Sequence, residues 1–157
     1  KRHLGAFICA KGRKALRGGY YIHLEPNNCL VAVGSYWLPT NILTSCRNEI
    51  MANIDQWRKI VEDGKFIKTF GYPNDGQWEN DAVSEKGFGL AALKTIPKGF
   101  PRDYEFAQYL RMKDYCCWVK VPDSFFEGNE WKEKLIEIAK TGKPMMDMMN
   151  NVIDDYE

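Results

Sequence analysis

The chain has 157 residues, of which 45% are hydrophobic and 27% are charged. This composition predicts one folded domain over residues 1–157 with a packed core, and it excludes a wholly disordered chain. The net charge of +1 argues against a dedicated nucleic-acid binder, and no apolar run reaches the roughly 20 residues of a membrane span.

The first part of the chain predicts an antiparallel meander of three strands. Strand-forming side chains and short connections define three segments: residues 4–10, 20–25 and 29–38. The first connection, residues 11–19, combines three glycines with four basic residues. The second is the turn formed by Pro26, Asn27 and Asn28, since proline presets its backbone angle and asparagine tolerates the left-handed region.

Helices are predicted after the meander from the spacing of apolar residues. One extends from Thr40 to Met51, and a second starts at Asn53 and stops at Gly64, with Thr40 and Asn53 as the expected caps. The remaining segments before the fourth strand are an extended loop, a short strand or irregular segment, and a short helix: residues 72–89, 90–96 and 101–112.

The last third predicts a fourth strand and two further helices. The strand covers residues 114–121, and a helix that Asn129 caps is interrupted by Gly142 and Pro144. A Met-rich helix then starts near Pro144. Together these elements predict an α+β fold, in which an antiparallel sheet of about four or more strands packs against several helices.

The cysteines and histidines indicate the compartment and argue against a metal centre. Five cysteines, an odd number with no C-x-x-C pair, favour a reducing cytoplasm over a disulfide framework. With two histidines, the chain has no set of four ligands at the spacing of a structural zinc site. We therefore expect no metal, and nothing in the sequence indicates a cofactor.

The basic loop is the first candidate site. Lys11, Arg13, Lys14 and Arg17 precede any acidic residue, the first of which is Glu25. Glycines let main-chain N–H groups approach an anion, and arginine binds phosphate with two hydrogen bonds. The loop matches neither the P-loop nor the dinucleotide-binding pattern. A solvated hairpin loop with incidental charge is the alternative interpretation.

A second candidate site lies on the predicted second strand. Alternation places Tyr21, His23 and Glu25 on one face, where neighbouring side chains lie about 7 Å apart and can bridge a small ligand. Histidine titrates near neutral pH and suits acid–base catalysis. A polar outer sheet face explains the same pattern. A less favoured arrangement is a nucleophilic pair in which Cys9 and His23 are neighbours on adjacent strands.

Several segments carry a family resemblance: GAFICAKGRKALRGGYYIHLEP, residues 37–39, 68–71, 96–101 and 110–122, and the final helices. Together they resemble the bacterial family catalogued as domain of unknown function 2461. The resemblance implies an N-terminal helical part whose closing lysine corresponds to Lys1, so we expect the chain to be a fragment that lacks those helices. The family name implies no reaction.

The leading hypothesis is a cytoplasmic binding domain for an anionic, phosphorylated small ligand. Lys11, Arg13, Lys14 and Arg17 would hold the ligand, and Tyr21, His23 and Glu25 would complete the floor. One alternative is a hydrolase or transferase that acts on a phosphorylated substrate with His23 and Glu25 as the acid–base pair. Another is a protein-interaction module, and nucleic-acid binding ranks last. The sequence leaves the ligand and the oligomeric state open.

Overall fold

The computed structural model describes residues 2–73, 78–79 and 82–157. The strands of its main sheet are β1 Leu4–Ile8, β2 Gly19–Leu24, β3 Cys29–Ser35, β6 Lys86–Phe88 and β7 Tyr115–Val121, and a separate pair consists of β4 Trp78–Glu79 and β5 Ala82–Val83. The five strands of the main sheet are antiparallel and lie in the order β1-β2-β3-β7-β6. The helices are α1 Thr40–Ala52, α2 Ile54–Val61, α3 Gly64–Phe70, α4 Ala107–Leu110 and α5 Trp131–Ile153, with 3₁₀ turns at Asp123–Phe126 and Asp154–Tyr156. The predicted α+β class is confirmed.

The predicted meander is present, and the later strand pairs with it. β1, β2 and β3 pair in sequence order, and the turn between β2 and β3 places Asn27 at a φ of 61°, in the left-handed region that asparagine tolerates. β7 pairs antiparallel with β3, so the fourth predicted strand lies next to the third. The sheet therefore continues from the hairpin of β1 and β2 into the centre of the molecule.

Helix α5 covers one face of the sheet. At Gly142 a Cβ atom would lie 2.8 Å from the Cβ of Val33, so glycine allows α5 to approach β3 closely. The predicted interruption at Gly142 and Pro144 is wrong, because α5 continues through both residues. Pro144 is exposed, and the buried methionines of the following turns stabilise the helix through packing against the core.

Several local predictions differ from the structure. The second helix ends at Val61, and Gly64 begins α3, where the Asp63 carboxylate accepts N–H groups of Lys65 and Phe66 at 3.0 and 3.4 Å. Neither Thr40 nor Asn53 caps a helix through its side chain. In the segment 101–112 the only α-helix is α4, which has four residues. The predicted loop 72–89 contains the strand β6. Residues 74–77 and 80–81 of that loop lie outside the described residues.

The sheet face away from α5, the outer face, carries its own small apolar cluster. Because Val33 points at α5, its neighbour Ala32 and the register partners of Ala32, Tyr21 and Trp118, belong to the outer face. Leu30, Ala32, Cys116 and Trp118 are buried there, and Tyr21 packs against them. The face that sequence alternation assigned to Tyr21 and His23 is thus partly apolar.

Asp114 joins the segment after β6 to the start of β7. This residue is 2% exposed, and its carboxylate accepts N–H groups of Leu90, Ala91 and Cys116 at 2.9, 3.1 and 3.2 Å. Burial raises its pKa to about 6, although the three hydrogen bonds favour the charged form. A buried carboxylate therefore holds two parts of the main chain together.

Candidate functional site

The basic loop between β1 and β2 lies against the C-terminal end of α5. The N–H of Gly18 donates to Oδ1 of Asn150 at 2.7 Å, and Nδ2 of Asn150 donates back to the Gly18 carbonyl at 3.3 Å. Asn150 is only 2% exposed. Its amide satisfies both main-chain groups of Gly18 in a buried setting, which fixes the end of the loop on the helix.

The loop binds the carboxylate of Glu157. The consecutive N–H groups of Leu16 and Arg17 both donate to Oε1 of Glu157, the second at 3.2 Å, and Nζ of Lys11 lies 3.3 Å from Oε2. The Glu157 side chain is 13% exposed. Desolvation alone would raise its pKa, but these three donors together hold the pKa below its usual value. The loop thus binds a carboxylate of its own chain.

Asp154 supplies a second acid to the same loop. Its Oδ1 lies 3.1 Å from Nζ of Lys11 and 3.5 Å from Nη1 of Arg17. The hydrogen bond to Asp154 is the main reason why the pKa of Lys11 is raised. Arg13 and Lys14 are exposed and form no ion pair with any described residue. Two of the four predicted anchors are therefore paired with acids of the chain, and two point into solvent.

The second predicted group forms a chain of hydrogen bonds on the outer face. The Tyr21 hydroxyl lies 2.9 Å from Nδ1 of His23, and Nε2 of His23 lies 3.1 Å from Oε2 of Glu25. Asn28 donates to the same carboxylate oxygen at 2.7 Å. The hydrogen bonds from Asn28 and His23 lower the pKa of Glu25, and burial raises the pKa of Tyr21. Glu25 thus stays ionised and orients the His23 ring.

His3, just before β1, and Gly5, within β1, lie next to this chain of hydrogen bonds. The ring of His3 stacks on His23 with centroids 4.6 Å apart. Gly5 is the register partner of His23, and a Cβ there would lie 2.8 Å from the Tyr21 hydroxyl oxygen. Glycine therefore leaves the space in which Tyr21 reaches His23. Sequence reasoning missed both residues, because the pairing register depends on the conformation of the long loop before β2.

The structure does not bring the two candidate sites together. His23 lies four residues along β2 from Gly19, about 13 Å at the usual rise of a strand, and it faces away from α5. The loop, in contrast, rests on α5. The arrangement of Cys9 and His23 as cross-strand neighbours is wrong, since the partner of His23 is Gly5. The Cys9 Sγ instead lies 3.9 Å from the Arg17 carbonyl.

Comparison with known proteins assigns the chain to a family. The family model described as a conserved hypothetical protein, DUF2461, matches residues 1–148. The chain belongs to this family. The match includes the basic loop and Tyr21, His23 and Glu25, and it stops before Asp154 and Glu157. Lys1, which the resemblance aligns with a family motif, lies outside the described residues. Neither a curated protein nor a solved structure matches the chain.

Among the described residues, no group of three or more His, Cys, Asp or Glu side chains is placed to hold a metal ion. None of the helices in the described ranges is both long enough and apolar enough to cross a membrane.

The edge of the sheet carries several exposed apolar side chains. All five residues of β1 are exposed, and Leu4 and Ile8 are 63% and 57% exposed. With Leu24 of β2 they belong to one face of the sheet, because Leu4 and Leu24 are register partners. Exposed apolar side chains that lie together are typical of contact surfaces.

Proposed function

We propose that this DUF2461 member binds a small anionic, phosphorylated ligand at the loop between β1 and β2. The observation that carries the proposal is the Glu157 carboxylate held by two consecutive main-chain N–H groups and by Lys11. A phosphate group presents the same kind of oxygen acceptors with more negative charge. Donors that satisfy a carboxylate at this position therefore suit a phosphate.

Arg13 and Lys14 give a phosphate an advantage over Glu157. Both are exposed and unpaired among the described residues, so they can turn toward a ligand without breaking an existing ion pair. An arginine guanidinium can donate two hydrogen bonds to two oxygens of one phosphate. The Glu157 carboxylate, which is bound to Lys11, makes no such contact with Arg13. A phosphorylated ligand would displace Glu157 and recruit these two side chains in addition to Lys11 and Arg17.

Titration calorimetry with orthophosphate, a sugar phosphate and a nucleotide tests this role. We expect the Arg13→Ala/Lys14→Ala variant to lose binding, and Glu157→Gln to bind about tenfold more tightly because a competing charge is gone. Lys94→Ala/Lys98→Ala, which removes two exposed lysines elsewhere, is the matched control. If neither the wild type nor Glu157→Gln binds any of these anions at millimolar concentration, the proposal fails.

A second candidate, a hydrolase or transferase, rests on the chain from Glu25 through His23 to Tyr21. A carboxylate that orients an imidazole, which in turn accepts from a hydroxyl, is the order found in nucleophilic triads. Hydrolysis of nitrophenyl phosphate and nitrophenyl acetate tests it, with His23→Gln inactive and Lys94→Ala unchanged. Ligand binding ranks above catalysis, because the basic loop rests on α5 whereas His23 lies on the outer face of the sheet, away from α5.

We also propose that the protein acts in the cytoplasm. All five cysteines are free thiols, and Cys29, Cys46, Cys116 and Cys117 are buried. Burial raises the pKa of Cys46 to about 12, so this thiol remains protonated and unreactive. Reduced, inert thiols of this kind support a reducing compartment. Fractionation of the source cells with an antibody against the protein tests the location.

A further inference from the structure

A groove that α2 and α3 form with α5 is a second cationic region, remote from the loop. Its larger part is a cavity of about 330 Å³ whose rim carries Lys59, Lys65 and Lys140. An adjoining cavity of about 250 Å³ shares Lys65 and Thr141 with the first. Lys140 precedes Asn150 by ten residues, so about 15 Å of helix separates the groove from the loop contact.

The chain neutralises the positive charge of the groove only in part. Lys59 and Lys140 form no ion pair within the part of the chain that the structure describes. Nζ of Lys65 lies 3.4 Å from Oε1 of Glu137, but both side chains are more than half exposed, so this pair is weak. Asp63, whose carboxylate accepts two N–H groups at the start of α3, also lines the larger cavity, so this lining holds three lysines against one carboxylate.

Apolar side chains contribute to the lining of the groove, and we call them its floor. Ile60, Phe66 and Pro144 line the larger cavity together with the lysines. A molecule that fits these features has a negatively charged group for the rim and an apolar body for the floor.

We infer that this groove binds a small organic anion with an apolar body, such as an aromatic or aliphatic sulfonate, carboxylate or phosphate ester. The charge of the rim selects the sign of the ligand, and the apolar floor distinguishes it from an inorganic anion. The larger cavity has the volume of a small-molecule site at the lower end of the usual range. This site does not depend on the proposed function of the loop.

The probe is 8-anilinonaphthalene-1-sulfonate, titrated by fluorescence and mapped by amide chemical shifts in the full chain. We expect shifts at Lys65, Phe66 and Thr141, and about tenfold weaker binding in Lys59→Gln/Lys140→Gln. Lys94→Gln/Lys98→Gln should bind the dye as the wild type does. All of these lysines are exposed, so the variants should fold normally.

Three outcomes would overturn the inference. If the lysine substitutions in the groove leave dye affinity unchanged, or if the shifts cluster elsewhere, the groove is not the site. Sulfate provides the second comparison, because it carries charge without an apolar body. Sulfate binding at the same residues with equal affinity would show that the floor contributes nothing and would contradict the ligand class.

Discussion

Glu157 and Asp114 are two carboxylates that bind main-chain N–H groups, in very different surroundings. Glu157 is held at the surface by the loop before β2, with Lys11 beside it. Asp114 is 2% exposed, binds three N–H groups and forms no ion pair with a described residue. The pKa of Glu157 is lowered, whereas burial raises that of Asp114 to about 6.

This difference distinguishes a permanent structural contact at Asp114 from the proposed exchangeable anion site at Glu157. A buried carboxylate can be replaced only if the structure opens, because its three donors would otherwise be left unsatisfied. The Glu157 carboxylate keeps part of its side chain open to solvent and lies beside Lys11, so an anion from solution can compete with it without unfolding of the core. The same hydrogen-bond pattern thus supports structure at Asp114 and the proposed ligand binding at the loop.

The largest expected effect comes from Asn150→Ala, which tests whether the loop depends on α5. The substitution leaves the buried N–H and carbonyl of Gly18 without partners, which costs about 2–4 kcal/mol of unfolding free energy. Urea unfolding measures the loss, and Asn151→Ala, at an exposed neighbour, is the control with a change below about 0.5 kcal/mol. Equal losses in both variants would show that the Gly18 contact is dispensable.

Asp114→Asn tests the buried contact of Asp114 through the pH dependence of the unfolding free energy. Because the folded pKa of about 6 exceeds the usual 3.8, the folded state holds the proton more tightly. The contribution of Asp114 to stability is therefore present below pH 3.8 and is lost as the pH rises through 6. We expect the wild type to lose about 2 kcal/mol relative to Asp114→Asn between pH 4 and pH 7. A constant difference between the two proteins would contradict the burial argument.

Gly142→Ala should have a smaller effect and should act on one region only. A Cβ at this position would lie 2.8 Å from that of Val33, so α5 must shift outward. Overpacking costs about 1–3 kcal/mol, and the better helix propensity of alanine recovers about 1 kcal/mol, for a net loss near 1 kcal/mol. Amide exchange should accelerate at Gly18 but not at Leu90. Gly64→Ala, where the added Cβ meets open space, should not reduce stability.

The segments that the sequence predicted well are those governed by local rules. Alternation and turn residues predict β2, β3 and the side-by-side arrangement of Tyr21, His23 and Glu25. The continuity of α5 was not predictable, because the reason for Gly142 is the approach of Val33 on a distant strand. Likewise, the contact between Leu16 and Glu157 joins residues 141 positions apart, and no local pattern announces it. Charge counting identified the cations of the loop but not their intramolecular partners.

The smallest effect, and the most direct test of exchangeability, is the pH dependence of the loop. The pKa of Glu157 lies below 4.5, so its contribution to stability is present above pH 4.5 and is lost as the pH falls through the folded pKa. We expect faster amide exchange at Leu16 and Arg17 at pH 3.5 than at pH 7, after correction for intrinsic rates.

Glu157→Gln provides the control for this measurement, because its amide has no charge to lose. Protection at Leu16 and Arg17 should then be independent of pH in the variant. Protection of Leu16 and Arg17 that survives acidification in the wild type would mean that the loop is ordered without its carboxylate. The loop would then be a preformed receptor, and Glu157 would be only one of its possible occupants.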